Sequence, residues 1–169
     1  MDPNGPIPMT PGGLRRLKDE LKHLQSNERG KISREIEVAR AHGDLKENAE
    51  YHAAKDKQSH IEGRIMDLNS WIARAEVIDL TRLKGDKVMF GATVELVDVE
   101  NEKQLTYRIV GELEADLKKR LISVTSPLAQ GLIGKTVGDL AMVVSPGGSR
   151  EYELKKISFE EPSEEAPHS

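Results

Sequence analysis

The chain of 169 residues contains no cysteine and few aromatic side chains, with one Trp, three Tyr and two Phe. The lack of cysteine excludes disulfide bridges and thiolate metal sites, and it is typical of proteins of the reducing cytosol. No apolar run approaches the roughly eighteen residues that a membrane-spanning helix needs. The start of the chain, MDPNGPIPMT, also lacks the basic and apolar regions of a signal peptide. We therefore expect a cytoplasmic protein that makes no membrane contact.

A strong charge of either sign is absent as well. The net charge is −4, and the four glutamates of segment 160–169 account for all of it, which leaves a nearly neutral body. Because phosphate affinity comes from clustered Lys and Arg, we expect no tight binding of free nucleic acid. The acidic segment 160–169 is also rich in Pro and Ser and is expected to be disordered, and residues 1–9 are expected to form a flexible N-terminus.

Heptad spacing of apolar residues dominates the first half of the chain. Thr10 followed by Pro11 is typical of a helix start, since the hydroxyl can cap the helix and proline loses no hydrogen bond at its first position. The stripe shifts its register near Gly30, and Gly43 is expected to end the helix. The stripe residues are Leu14, Leu17, Leu21, Leu24, Ile32, Ile36 and Ala39, then Ala54, Ile61, Ile65, Leu68, Ile72 and Ala75. They predict an antiparallel coiled-coil hairpin over residues 10–79, on the order of 45 Å long, with its tip at 43–48.

Short alternating runs replace the heptads beyond a linker at residues 80–84. The runs are Val88–Leu96, Leu105–Val110, Leu121–Val124, Leu140–Val144 and Tyr152–Ile157, each typical of a strand. Ser126 and Pro127 open a short helix that ends near Gly131 or Gly134. Residues 85–159 are thus predicted to form a compact antiparallel sheet with one short helix, which makes the whole an α+β protein.

The motif HGDLKENAEYHAAK at residues 42–55 contains the most distinctive group of polar residues in the chain. Asp44 and Glu47 have the spacing of a capping box, in which both would serve the start of the second helix. The same two carboxylates could be oxygen ligands for Mg²⁺, although they fall short of the six ligands that this ion takes. They would then form an incomplete metal site that a partner completes, and the two roles are compatible.

Basic side chains flank these carboxylates. Arg40, Lys46 and Lys55, joined by Lys57, could contact the phosphates of an RNA strand, or they could simply solvate the helix surface. Their number is too small to bind RNA tightly, but one or two contacts within a crowded channel would position a strand. The residues alone leave both interpretations open.

Other sequence motifs for catalysis, phosphate binding or metal binding are incomplete or absent. The segment Gly131–Thr136 looks like the end of a P-loop, but Ala129 stands where the first glycine of that motif belongs. The five histidines show no metal-ligand spacing, and no serine lies in a nucleophile motif. The sequence therefore offers no self-contained catalytic site.

Nearly the whole chain, from Pro8 to Phe159, resembles the bacterial Gre transcript-cleavage factors, and within them the GreA branch. Several independent motifs occur in the order that this family shows. They are HGDLKENAEYHAAK at 42–55, IEGRI at 61–65, VIDLT at 77–81, FGATV at 90–94, YRIVG at 107–111, EAD at 114–116, LISVTSPLAQGLIGK at 121–135 and PGG at 146–148.

The resemblance implies a coiled coil that enters the secondary channel of RNA polymerase and an FKBP-like C-terminal domain that docks on the channel rim. It implies that Asp44 and Glu47 help to hold a Mg²⁺ ion of the polymerase active site and to activate water, so that the polymerase hydrolyses the 3′ end of backtracked nascent RNA. The docking surface would include Ser126, Pro127 and Leu128. The chain would be an accessory factor rather than an enzyme, would bind no cofactor alone, and is expected to be a monomer.

Three positions depart from the family pattern, namely Gln130 for the usual arginine, Gly30 near a frequent proline, and Ala41 for a frequent acid. Three other functions also stay open. A Gre-like inhibitor would block the channel, although such relatives carry a richer acidic tip than Asp44 and Glu47 with Lys46 between them. A prolyl isomerase or chaperone would use the FKBP-like fold, and a plain coiled-coil adaptor would need the tip only for capping.

Overall fold

A computed structural model describes residues 4–43, 48–79 and 85–159. Within these ranges the chain forms two compact units. A helical unit contains Leu14–Ala75 with the residues before Pro8, and a β-rich unit contains Pro8–Gly13 with the chain from Glu76 onward. No helix in the described part of the chain is both long enough and apolar enough to cross a bilayer. The helices followed by a sheet confirm the α+β class.

The helical unit is an antiparallel hairpin, as the heptads predict. Helix α1 spans Pro11–His23, α2 spans Arg29–Arg40 and α3 spans Ala49–Ala73. Ion pairs join the outgoing to the returning arm and approach the bend in order along the chain. They are Arg64–Glu20 at 2.7 Å, Arg29–Glu62 at 2.9 Å and Lys57–Glu35 at 3.8 Å. The predicted stripe is the buried seam, since Ile32, Ile36, Ala54, Ile61 and Ile65 form one apolar cluster.

The predicted shift of register lies in a π-helical turn at Leu24–Glu28, which joins α1 to α2. A π turn closes its hydrogen bonds over five residues instead of four and so accommodates one extra residue. From Leu24 to Ile32 the stripe steps eight residues, one more than a heptad. The π turn absorbs that residue, so both halves of the stripe face the same side. The change of register therefore precedes Gly30, which lies inside regular α2.

A short strand precedes α1. Strand β1, Ile7–Met9, lies in a two-stranded sheet with β2, Ala75–Val77. Met9 is fully buried, so the expectation of a flexible start up to residue 9 is wrong for this strand. Its apolar side chain and its ladder partner hold it in place. Thr10 caps α1 as predicted, because its hydroxyl oxygen accepts the backbone N–H of Gly13 at 3.0 Å.

The main sheet has five strands in the order β5-β4-β3-β7-β6. Their bounds are Thr93–Asp98 for β3, Gln104–Val110 for β4, Leu121–Ser123 for β5, Leu140–Ser145 for β6 and Gly148–Ser158 for β7. All neighbours are antiparallel except β4 and β5, which are parallel. The sheet is therefore mixed, which corrects the predicted antiparallel sheet. Two 3-10 turns, Glu112–Glu114 and Leu117–Lys119, carry the chain back to start β5 in the direction of β4.

The predicted strand at Val88–Leu96 starts late, because Gly91 takes a positive φ of 88° and interrupts extended backbone before Thr93. The predicted short helix is confirmed as α4, Pro127–Leu132. The hydroxyl of Ser126 accepts the N–H of Ala129 at 3.2 Å and caps it. Ala129 and Leu132 are fully buried against the sheet, so α4 covers the apolar face of the β-rich unit.

Candidate functional site at the hairpin tip

The bend of the hairpin lies between the end of α2 and the start of α3. Helix α2 ends at Arg40, with Ala41 as its C-cap. Gly43 has a positive φ of 118°, the conformation expected of it, but the helix ends before it rather than at it. Asp44, Lys46 and Glu47 lie outside the described residues.

Helix α3 starts at Ala49, and its N-cap is Asn48. The amide oxygen of Asn48 accepts the backbone N–H of Tyr51 at 2.9 Å. This corrects the capping-box interpretation, in which Asp44 would be the cap and Glu47 its partner. A helix has one N-cap, and here that position falls after both acids. Asn48, and not Asp44, is therefore the N-cap of α3.

Asn48 also makes a second hydrogen bond, which the sequence did not indicate. Its amide nitrogen donates to the carbonyl oxygen of Ala39 at 2.5 Å. The same carbonyl accepts the backbone N–H of His42 at 3.1 Å. Since Ala39 belongs to the last turn of α2 and is buried, one side chain joins the end of α2 to the start of α3.

Described cations on both helices stand near this junction. The guanidinium of Arg40 lies 5.9 Å from the ring centroid of Tyr51, within the range of a cation–π contact. The ammonium of Lys55 donates to the amide oxygen of Gln58 at 3.2 Å. Both cations are exposed, so the structure brings Arg40 and Lys55 to the same end of the hairpin with their charges accessible.

An open groove of about 590 Å³ runs between α2 and α3 below the tip. Its apolar lining residues are Val38, Ala39, Ala53 and Ala54. Its charged lining residues are Lys31, Arg34, Lys57, Glu35 and Glu50. Three cations and two carboxylates thus line this side of the hairpin, and the ammonium of Lys57 lies 3.8 Å from a carboxylate oxygen of Glu35.

Two described residues near the tip, His42 and Glu50, lie within ion-pair distance of each other. Nδ1 of His42 lies 3.5 Å from a carboxylate oxygen of Glu50 in the first turn of α3. A carboxylate there is favourable because the helix N-terminus carries partial positive charge. Across residues 4–43, 48–79 and 85–159, no group of three or more His, Cys, Asp or Glu could hold a metal ion.

The expected docking residues meet at the start of α4 in the β-rich unit. Ser126 uses its hydroxyl as the helix cap, and Leu128 packs half-buried against the core. Pro127 is exposed. Gln130 is exposed too, but its amide nitrogen donates to the carbonyl of Val124 at 2.7 Å. Of the three predicted residues, only Pro127 is exposed.

The outer side of strand β6 is an apolar surface that the sequence reasoning missed. Leu140, Met142 and Val144 are 52%, 56% and 68% exposed, whereas Ala141 and Val143 between them are buried. The alternation was visible in the sequence and predicted a strand. It does not reveal that β6 lies at the edge of the sheet.

Two family models match the chain. The model described as "Transcription elongation factor, N-terminal" matches residues 7–77, and "Transcription elongation factor, GreA/GreB, C-term" matches residues 83–159. A transcription elongation factor GreA of Anaeromyxobacter sp. (strain K) is 65% identical over 161 residues, which cover 95% of this chain and 96% of that protein. One of Rhizobium leguminosarum bv. trifolii (strain WSM2304) is 57% identical over 153 residues, covering 90% and 97%.

Solved structures with similar chains include GreA factor homolog 1 (Gfh1) of Thermus thermophilus and a GreA/GreB elongation factor of Nitrosomonas europaea. The first is 26% identical with a TM-score of 0.41, and it covers 90% of this chain and 99% of that chain. The second is 21% identical with a TM-score of 0.39, covering 90% and 98%.

Proposed function

Because this chain belongs to the GreA/GreB family of bacterial transcription elongation factors, we propose that it inserts its helical hairpin into the secondary channel of RNA polymerase. There it stimulates the polymerase's own hydrolysis of the 3′ end of backtracked nascent RNA, and so rescues arrested complexes. The factor acts in trans and is not itself the enzyme. Its partners are the channel rim of the polymerase and the extruded RNA end.

The observation that carries this function is the position of the α3 cap. Asn48 satisfies the first turn of α3, so neither Asp44 nor Glu47 is needed as the helix cap. The carboxylates of Asp44 and Glu47 are oxygen donors of the kind that Mg²⁺ prefers. Bound in the polymerase active site, Mg²⁺ would lower the pKa of the attacking water and neutralise charge on the phosphate. Asp44 and Glu47 would supply two of its oxygen ligands.

The shortage of ligands explains why the pair is carried on a hairpin. Two carboxylates leave most of the six positions of Mg²⁺ to water, RNA phosphate and polymerase carboxylates. The ion is then held only when factor and polymerase meet. Stimulation of cleavage is thereby confined to complexes whose channel admits the hairpin.

Arg40, Lys46 and Lys55 would position the RNA end through its phosphates. Arg40 and Lys55 are exposed at the same end of the hairpin, and the groove below them carries more cations than carboxylates. Phosphate contacts of this kind fix the register of a strand without reading its sequence. We assign them a role in orientation rather than in affinity.

Docking on the channel rim would use the surface around Ser126, Pro127 and Leu128. Pro127 is its exposed member. The amide nitrogen of Gln130 donates to the carbonyl oxygen of Val124. Where the family usually has an arginine that could contact the polymerase, this chain therefore has an uncharged amide that is bonded to its own backbone. The rim contact therefore rests on shape and apolar surface more than on a charge at position 130.

The function is tested with stalled, backtracked elongation complexes supplied with Mg²⁺. Asp44→Asn and Glu47→Gln should each compete with the unaltered factor for the polymerase yet fail to stimulate cleavage. Asp56→Asn removes an exposed carboxylate from α3 and is the control for lost charge, with cleavage unchanged. Full stimulation by both tip variants would rule out the proposed role of the tip.

The same assay separates the alternatives. An inhibitor of the Gre type would slow elongation without raising cleavage. A prolyl isomerase would act on a proline-containing peptide, but Tyr107, Tyr152 and Phe159 all pack against the core of the β-rich unit rather than standing apart from it. We therefore expect no isomerase activity with such a peptide.

A further inference from the structure

Residues 117–120 form an exposed turn of the β-rich unit, and we call them the basic turn. Leu117 is 75% exposed, which is the largest exposed fraction among the large apolar side chains of the described residues. Lys118, Lys119 and Arg120 follow it and are exposed as well. No carboxylate in the described part of the chain forms an ion pair with these three cations. The turn thus presents one apolar side chain together with three accessible positive charges.

Hydrogen bonds hold the backbone of the basic turn from both ends. Asp116 and Leu121 flank it as an isolated antiparallel bridge, in which the N–H of each donates to the carbonyl of the other at 2.8 and 3.0 Å. The carboxylate of Asp116 also accepts the N–H of Lys118 at 3.0 Å, and its carbonyl accepts the N–H of Lys119 at 3.0 Å. A turn that is ordered in advance loses less entropy when it binds a partner.

Arg120 adopts a conformation that its own backbone does not favour. Its φ of 61° and ψ of 32° lie in the left-handed region, where glycine is free of strain and a larger side chain is not. The guanidinium forms no ion pair with a described residue that would offset this strain. Strained residues of this kind are concentrated where a side chain serves a ligand or a partner. The arginine is therefore better explained by an external contact than by the fold.

The composition of the basic turn selects the class of partner. Three cations without described counterions fit an acidic surface, and an exposed leucine fits an apolar pocket. A nucleic acid would satisfy the charges through its phosphates, but its bases stack on aromatic or guanidinium planes and give a leucine little to bury against. An acidic protein surface with an apolar pocket satisfies both requirements.

Strand β5 connects the basic turn to the docking surface proposed above. It is an edge strand of the main sheet, and it leads from Arg120 towards Ser126 and Pro127. Seven residues separate Arg120 from Pro127, so the two are at most about 25 Å apart. An interface of ordinary size covers roughly 800 Å² on each partner and is thus about 30 Å across. One interface can therefore include both the basic turn and Pro127.

We propose that the basic turn is a second docking element for RNA polymerase, which binds an acidic patch around an apolar pocket on the surface of that enzyme. This role rests on the proposed function. The basic turn contributes to affinity, and it takes no part in the hydrolysis of RNA.

The first test measures the Kd for cognate core RNA polymerase that carries no nucleic acid. Leu117→Ser should raise the Kd about tenfold at every salt concentration, because it removes a buried apolar contact. The double variant Lys118→Gln with Lys119→Gln should raise the Kd about fivefold at low salt. Its effect should disappear near 1 M salt, where charges are screened beyond about 3 Å.

Arg120→Gly separates binding from stability. Glycine relieves the left-handed strain, so the variant should melt at the same temperature as the unaltered protein or above it. The loss of one cation should still raise the Kd for the polymerase about threefold at low salt. A purely structural role of Arg120 would leave the Kd unchanged.

Matched controls come from the turn between β3 and β4 of the same unit. Val99 is 46% exposed and Lys103 is exposed. Val99→Ser and Lys103→Gln therefore remove an exposed apolar side chain and an exposed cation at another place. Both variants should bind the polymerase as tightly as the unaltered protein.

Cleavage assays then tell apart failure of the docking role from failure of the function. At saturating factor, every variant of the basic turn should reach the full maximal cleavage rate. If the unaltered factor stimulates cleavage while these variants bind as tightly as it does, the docking role is wrong and the function stands. If the charge variants lose affinity only for polymerase that carries nucleic acid, the cations contact nucleic acid and the docking role is again wrong. If the unaltered factor neither binds the polymerase nor stimulates cleavage, the proposed function is wrong, and the role of the basic turn falls with it.

Discussion

The carboxylate of Glu114 accepts the backbone N–H of Thr10 at 3.1 Å and also its hydroxyl. The same carboxylate accepts the N–H of Gly111 at 2.9 Å. One side chain thus ties the segment before α1 to the 3-10 turn that follows β4, all within the β-rich unit. The EAD motif at residues 114–116, which resembles the family but has no role evident from sequence, contains this residue.

Glu114→Ala should lower the free energy of unfolding by about 2 kcal/mol, because it removes a charged acceptor from several donors at once. Urea unfolding followed by circular dichroism measures the change. Glu112→Ala, which removes an exposed acid from the same turn, is the control and should stay within about 0.5 kcal/mol. Equal effects of the two variants would mean that the bonds to Thr10 contribute nothing.

Gly111 lies where the backbone passes close to this bonded segment. A Cβ atom at Gly111 would stand 2.3 Å from the carbonyl oxygen of Pro8. Because that oxygen belongs to the backbone, Gly111→Ala should destabilise the β-rich unit by about 1–3 kcal/mol. Gly147→Ala is the matched control, since nothing lies within 4 Å of its added carbon. A thermal melt that moves equally for both variants would disprove the close approach.

The buried carboxylate of Asp98 predicts a specific response to acid. Its side chain is only 3% exposed and lies 2.7 Å from the guanidinium of Arg150. Burial raises the pKa of Asp98, but the backbone N–H of Glu100, the guanidinium and the N–H of Asn101 outweigh burial and lower it below the ordinary value. The charged form is therefore stabilised by folding.

A carboxyl group with a depressed pKa contributes stability that is present above its unfolded pKa of about 3.9 and is lost as the pH falls through the folded value. Asp98→Asn should remove this contribution. The difference in unfolding free energy between the unaltered protein and Asp98→Asn should thus be constant near neutral pH and shrink below about pH 4. If this difference in unfolding free energy stayed constant as the pH falls, Asp98 would have the same pKa in the folded and the unfolded protein.

The π turn predicts an unusual tolerance of deletion. Removing Ser26 from Leu24–Glu28 should convert the π turn into regular α-helix and leave the seam in register, at a cost below about 1 kcal/mol. Removing Met66, an exposed residue of α3, should be far worse. That deletion rotates the rest of α3 by about 100° and turns the buried Leu68 away from the seam. Comparable melting temperatures for the two deletions would show that the π turn does not accommodate the extra residue of the stripe.

Periodicity was enough to predict the hairpin and its seam. Residues such as Ile36 and Ile61 are apolar at helical spacing because they pack on the opposite arm, and burial of that stripe dominates helix stability. Helix α4 was equally predictable, because Ser126 and Pro127 favour a helix start at their own position and need no distant partner. Local chemistry and a regular period were sufficient for these elements.

Features that depend on distant partners were not predictable. The parallel pairing of β4 with β5 is fixed by the path through two 3-10 turns, which leave no periodic signal. The spacing of Asp44 and Glu47 favoured a capping box, but the helix starts later. Asn48 caps there and also reaches Ala39, a residue of the other helix. The roles of Asp44, Lys46 and Glu47 stay predictions.

The Mg²⁺ dependence of RNA cleavage in a backtracked complex tests the central claim most directly. The claim is that Asp44 and Glu47 complete a metal site inside the polymerase. The unaltered factor should lower the Mg²⁺ concentration for half-maximal cleavage and raise the maximal rate. A variant with both Asp44→Asn and Glu47→Gln should occupy the polymerase yet leave the Mg²⁺ requirement at that of the polymerase alone. If this double variant lowered the requirement as far as the unaltered factor does, the tip would not be a metal ligand.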